Sequence, residues 1–244
     1  MRASIGLIGY GRFGRLAARY ASRSADVFVH DRRARVKTGR GVQSATLGEA
    51  ASQSVVVLAV PIGALRSLLR EIRPHLRRDA LVIDVCSVKT VPLAWMNALL
   101  PRSVAIIGMH PLFGPDSDTG SLSGQRVVVC PSRNGARRMG VVRALARAHG
   151  IHLHVMTPRA HDRLMAETLL LTQYVGRLIR GAGMVPHAWS TPAYGSLKGI
   201  VATALRDSEE LFVDMVRFNP RGRRTLKALL RSHRAIERKT RGAD

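Results

Sequence analysis

The sequence predicts an α/β fold in two parts: a mainly parallel sheet with its helices over residues 1–155, and an all-helical part over 156–244. Three observations carry this. Short runs rich in Val, Ile and Leu alternate with helical stretches of roughly ten to fifteen residues in the first part, which is the pattern of βαβ units. Several of those runs are apolar without interruption, as strands buried on both faces of a parallel sheet are. Near residue 156 the β-branched runs stop, and 158–183 and 191–236 carry helical spacing with few strand signals.

Taken in order, ASIGLI at 3–8 is a strand that enters the turn GYGRFG, and an amphipathic helix follows to about Ser22. VFVHD at 27–31 and SVVVLAVP at 54–61 are strands. ALRSLLREIRPHL reads as a helix, ALVIDV as a strand, VPLAWMNALL as a helix, VAIIGMH as a strand and RVVVCP as one more.

The totals narrow the function classes. A chain of 244 residues with 46% hydrophobic composition can fill a core. No apolar run reaches the roughly 18 residues that span a bilayer, and the N-terminus enters a strand without a secretory apolar region, so a cytoplasmic protein is expected. Cys86 and Cys130 lie in apolar strand-like surroundings, which suits reduced core thiols, and no metal-ligand spacing is present. A net charge of +23 and a pI near 11.7 raise nucleic-acid binding. Lys37, Lys89, Lys198, Lys227 and Lys239 are the only lysines, so the excess is arginine scattered through amphipathic segments. No helix-turn-helix, zinc knuckle or aromatic stacking platform accompanies it. A solvated basic surface that attracts anionic metabolites is the preferred reading, with no membrane partner.

Gly9, Gly11 and Gly14 fit the G-x-G-x-x-G pattern between a strand and a helix, with Arg12 and Phe13 inside it. Glycine serves the tight turn, the approach of backbone to a pyrophosphate and the close packing of the helix, whose N-terminus attracts negative charge. Asp31 ends the second strand, where a carboxylate can hydrogen-bond ribose hydroxyls. A Rossmann-type dinucleotide site follows. Asp31 favours NAD, while Arg32 and Arg33 can embrace a 2′-phosphate and keep NADP open.

Ligands of open α/β sheets bind at the carboxyl ends of the strands. Val60 and Pro61, Ser87 and Lys89, and His110 are the chemistry-bearing residues there. His110 stands before Pro111 and a glycine turn, which would hold an imidazole rigidly at a strand end; a strand-end histidine satisfied by backbone is the alternative.

In GYGRFG, VIDVCSVKTVP, GMHPLFGPDS, HDR at 161–163 and RDSEELFVDMVRFN, collinear over nearly the whole chain, the sequence resembles the prephenate/arogenate dehydrogenase family, closest to the arogenate type. The resemblance implies a Rossmann-type domain, a helical domain through which members pair as homodimers, and NAD(P)-dependent oxidative decarboxylation of arogenate or prephenate in tyrosine biosynthesis. In that reaction hydride leaves C4 of a cyclohexadiene ring and the C1 carboxylate departs as carbon dioxide. His110 matches the residue that accepts the proton of the C4 hydroxyl, and Ser87 the one that hydrogen-bonds near that hydroxyl and helps fix the imidazole.

Lys89 would support the anionic substrate electrostatically, with a structural role for a lysine after a strand as the equal alternative. Gln173 stands where members commonly carry histidine and can hydrogen-bond a carboxylate. Asp207 falls where arogenate-type members place an acid to meet the substrate ammonium; either Asp207 or Ser208 could instead cap the following helix. Lys198 is the only basic residue where prephenate-preferring members carry an arginine. His161 and Asp162 open the long helical part and read as packing residues. The rival readings are a strict prephenate dehydrogenase, an amino-substituted prephenate dehydrogenase of a specialised pathway, another β-hydroxyacid or imine reductase, and a basic nucleotide- or nucleic-acid-binding protein without catalysis.

Overall fold

The computed structural model describes residues 2–183 and 189–241. Strands β1 (Ala3–Ile8), β2 (Ala25–His30), β3 (Val42–Ser44), β4 (Val55–Leu58), β5 (Leu81–Asp84), β6 (Ala105–Pro111), β7 (Arg126–Pro131) and β8 (His152–Val155) form one sheet in the order β3-β2-β1-β4-β5-β6-β7-β8. All neighbours are parallel except β6 and β7, which pair antiparallel with His110 opposite Val128. The connection between those two strands, residues 112–125, contains a short 3-10 turn at Pro115–Ser117 and no α-helix. A parallel crossover needs a longer, usually helical, connection, so the reversal follows.

Helices α1 (Arg12–Ala21), α2 (Leu47–Ala51), α3 (Ile62–Ile72), α4 (Thr90–Leu99) and α5 (Gly135–His149) cover the sheet. Leu81, Ile107, Val127 and Val129 pack with Met139 and Val142 of α5 in one core cluster, and Leu7, Val27 and Val29 pack with Ala18 of α1 in another. Every residue of β5 is buried, as a central strand with helices on both faces requires. Cys86 and Cys130 are both buried.

The remaining helices are α6 (Pro158–Glu167), α7 (Leu169–Gly181), α8 (Pro192–Arg206), α9 (Glu209–Phe218) and α10 (Gly222–Arg241). The chain divides into two compact units between His161 and Asp162, inside α6. The sequence pattern changes at 156, six residues earlier. Within the helical unit α7 and α8 approach closely at Gly176, where a side-chain Cβ would stand 2.4 Å from the Cβ of Ala204 and 2.9 Å from the carbonyl oxygen of Ile200. Among the described residues, no helix is long and apolar enough to cross a membrane.

Candidate active site

Parallel strands share a direction, so the ends of β1, β4, β5 and β6 open on one edge of the sheet. The glycine turn leaves that edge after β1. Gly9 adopts φ 105°, and a Cβ there would lie 2.2 Å from the carbonyl oxygen of Ala59 and 3.1 Å from Cγ1 of Val60. Gly14, buried in α1, would place a Cβ 2.1 Å from the Gly9 carbonyl oxygen. These two glycines therefore set the close packing of turn, helix and β4 end. Gly11, exposed at the N-cap of α1, has only open space where its Cβ would be. That leaves the helix N-terminus accessible to a diphosphate, and the first turn carries no acidic residue to oppose it.

Asp31 is bound into the same turn. Its Oδ2 accepts from the Tyr10 N–H at 2.6 Å, and its Oδ1 from the Arg33 and Ala34 N–H groups at 2.7 and 2.6 Å. Burial alone would raise this carboxyl, but the three backbone donors outweigh it and hold the pKa below the ordinary value. The Arg32 guanidinium is ion-paired with Glu71. Phe13 is half-buried and Arg12 exposed, and Pro61 is the N-cap of α3. A dinucleotide fits these residues: a close-packed glycine turn, an open helix start, and an ionised carboxylate at the end of β2.

The loop after β6 is clasped to α1. Arg12 reaches Asp116 at 2.6 Å, Arg19 pairs with Asp118, and the Tyr20 hydroxyl donates to Asp118 at 2.5 Å.

His110 lies near the end of β6, 6% exposed, and its Nδ1 is 2.8 Å from Nε2 of His161, which is 0% exposed. Burial, then His161, then the charge of Lys89 hold the His110 pKa well below its ordinary value. The ring is therefore neutral near pH 7. Its hydrogen-bond partner is His161 rather than Ser87, which is half-buried in the turn between β5 and α4.

Lys89, for which the sequence leaves substrate support and a structural role equally open, is fully buried and ion-paired with Asp84, also at 0% exposure. Asp84 Oδ1 further accepts from the Cys86 N–H at 3.1 Å. Burial drives the Asp84 carboxyl up, against the pull of the Lys89 ammonium and the Cys86 N–H. Gly108 makes room for this pair, since a Cβ there would lie 2.8 Å from Cδ of Lys89 and 3.1 Å from Oδ2 of Asp84.

In the helical unit Gln173 donates to Asp207 at 2.5 Å, and its carbonyl oxygen accepts from Arg177. Arg177 also donates to the carbonyl oxygens of Ala204 and Asp207 at 2.8 and 3.1 Å and pairs with Glu209 at 3.0 Å. Gln173 is fully buried with both ends of its amide engaged. Ser208, not Asp207, caps α9, accepting from the Leu211 N–H at 3.1 Å. The sequence brings forward His110 and the glycine turn, but it reads His161 as a packing residue and gives Asp84 no role. No spacing rule links residues 110 and 161; for Asp84, the one available signal was a carboxylate and a lysine in one apolar segment.

Residues 23–162 match the family model described as prephenate dehydrogenase, nucleotide-binding domain. The chain belongs to that family. Among curated relatives, a probable arogenate/prephenate dehydrogenase of Methanocaldococcus jannaschii is 27% identical over 193 residues, covering 75% of this chain and 42% of the relative. Arogenate dehydrogenase 2, chloroplastic, of Arabidopsis thaliana is 27% identical over 237 residues, covering 92% and 66%. The chain thus spans only 42% of the first relative's length. The crystal structure of prephenate dehydrogenase from Aquifex aeolicus with hydroxyphenyl propionate and NAD+ superposes with a TM-score of 0.75 at 17% identity, covering 100% of this chain and 92% of that one. That likeness bears on the fold, and it agrees with the Rossmann-type sheet and helical part of this family member.

Proposed function

We propose that this family member is an NAD-dependent dehydrogenase that oxidatively decarboxylates arogenate, and prephenate less well, in tyrosine biosynthesis in the cytoplasm. The observation that carries the reading is the buried neutral imidazole of His110 at the sheet edge that also bears the glycine turn. A neutral imidazole can take the proton of the C4 hydroxyl as hydride leaves that carbon, and loss of carbon dioxide then makes the ring aromatic. A bound nicotinamide supplies the hydride acceptor. Gly9, Gly11, Gly14, Arg12, Phe13, Val60 and Pro61 hold the dinucleotide, and Ser87 hydrogen-bonds near the reacting hydroxyl.

Lys89 acts from inside the protein: its buried cation disfavours a second positive charge on His110 and so keeps the base unprotonated. The ionised Asp31 supports NAD over NADP, because it would repel a 2′-phosphate, and Arg32 is engaged with Glu71. Asp207, held by Gln173, supplies the negative charge that meets the ammonium of arogenate. Exposed Leu178, Leu205, Val213 and Ile236 on the helical unit support a homodimer.

The test is the rate of nicotinamide reduction with arogenate and prephenate, each with NAD and NADP. Arogenate with NAD should rank first. His110→Asn should lower kcat by about two to four orders of magnitude. Background rates with all four combinations would sink the reading, and a His110→Asn variant within about threefold of the parent would remove the imidazole from the mechanism.

A further inference from the structure

A hydrogen bond between two imidazoles contains one proton, and the ring that carries it decides what the remaining nitrogens can do. His110 Nδ1 and His161 Nε2 are 2.8 Å apart, with the ring planes at 69° and the centroids 5.1 Å apart. If His161 were the donor, the neutral His110 ring would carry its own proton on Nε2 and could accept nothing there. If His110 donates from Nδ1, its Nε2 keeps a lone pair. Only the second arrangement gives a general base at Nε2.

Both rings are held by backbone on rigid elements. His110 sits in the β6 ladder opposite Val128, and His161 lies in the first turn of α6, its N–H donating to the Thr157 carbonyl oxygen at 3.0 Å. With 6% and 0% exposure, little water competes for the contact. The groups that act on the charge of His110 are His161 and Lys89.

We propose that His161 is a positioning residue for His110: its Nε2 accepts the Nδ1–H of His110 and so fixes the tautomer whose Nε2 takes the proton of the substrate hydroxyl. The assignment rests on the reading of His110 as the base of a dehydrogenase. When the proton arrives at Nε2 the ring becomes an imidazolium, and its Nδ1–H bond to His161 becomes charge-assisted and stronger. Burial and the nearby charge of Lys89 keep the resting base unprotonated at neutral pH.

Two variants and one spectrum test this. His161→Leu removes the acceptor, whereas His161→Gln offers an amide oxygen in its place. His161→Leu should lower kcat about 10- to 100-fold, the range typical of partners that orient a reacting histidine, with KM nearly unchanged, and His161→Gln should recover most of the loss. Nitrogen-15 shifts of the histidine side chains, read near pH 7.5 on the protein alone, should report His110 protonated on Nδ1 in the parent and mixed tautomers in His161→Leu. An Nε2-protonated His110 in the parent would overturn the proposal, as would equal kcat in His161→Leu and the parent, or no advantage of His161→Gln over His161→Leu. The spectrum needs no substrate. An Nδ1-protonated His110 in a protein that oxidises neither substrate would therefore sink the dehydrogenase reading while leaving the pairing in place.

Discussion

Replacing Lys89 by Met should destabilise the protein more than its conservative shape suggests. The two side chains have similar length and volume, so packing changes little. What changes is charge. Asp84 and Lys89 are both at 0% exposure, and Oδ1 of Asp84 accepts from the ammonium and the Cys86 N–H, whereas Oδ2 has no hydrogen-bond partner among the described residues. Without the ammonium a buried carboxylate keeps only the backbone N–H and the thiol of Cys86 beside it. Breaking such a pair from one side costs about 3–5 kcal/mol, which for a chain of this length lowers Tm by about 6–20 °C.

The sign of the pH dependence follows. Burial already raises the Asp84 pKa, and loss of the cation raises it further above the unfolded value of about 3.9. A raised carboxyl leaves the fold most stable where it is protonated and loses that contribution as pH rises through the folded pKa. The gap between parent and Lys89→Met should therefore be full near pH 7.5 and narrow towards pH 5. Urea melts at both pH values measure it. The double replacement Asp84→Leu with Lys89→Met should recover most of the loss, because an apolar pair of similar volume needs no desolvated charge. A Lys89→Met midpoint within about 1 kcal/mol of the parent, with no change in the gap with pH, would refute the buried pair.

Two further outcomes are expected. Gly176→Ala should lower Tm by the equivalent of about 1–3 kcal/mol, because the added methyl meets Ala204 across the α7–α8 contact; at an open helical site the same change would raise Tm, so a rise in a thermal melt would refute the close approach. The folded pKa of His110 lies below its unfolded value of about 6.5, so its contribution to stability is present above that pH and is lost as pH falls through the folded value. The acid limb of kcat should lie below pH 6.5 for the same reason, and a limb above it in a pH–rate profile would contradict a buried neutral base.

The elements that sequence reveals are those whose burial is written in their side chains. β1, β4, β5, β6 and β7 are apolar, β-branched runs, and the structure finds strands there to within a few residues at each end. β3 is three residues at the sheet edge, partly polar, and gives no periodic signal. The short α2 does carry a Thr46–Glu49 capping box, but its five residues are too few for a helical pattern to register. α5 reads as a dispersed basic stretch, since only one narrow stripe of Met139, Val142 and Ala146 is buried. At the site, the glycine turn and the strand-end His110 were legible because each has a local spelling. Lys89 reads from its place after a strand as either a substrate support or a structural residue, while its burial against Asp84 depends on Gly108 from the neighbouring strand, a tertiary fact. His161 stands 51 residues from His110, and only the fold makes them partners.

The clasp between α1 and the loop after β6 has a consequence for how this chain tolerates change. With 39 basic residues against 16 acidic ones, carboxylates are the scarcer partner, and Asp116 and Asp118 are the two that reach Arg12 and Arg19 of α1. Substitutions should therefore be unequal in their effects. An arginine lost from α1 removes one strand of the clasp, whereas Asp118 lost at a stroke releases both Arg19 and Tyr20. In so cationic a protein the scarce carboxylates trace the seam along which the loop is tied to α1.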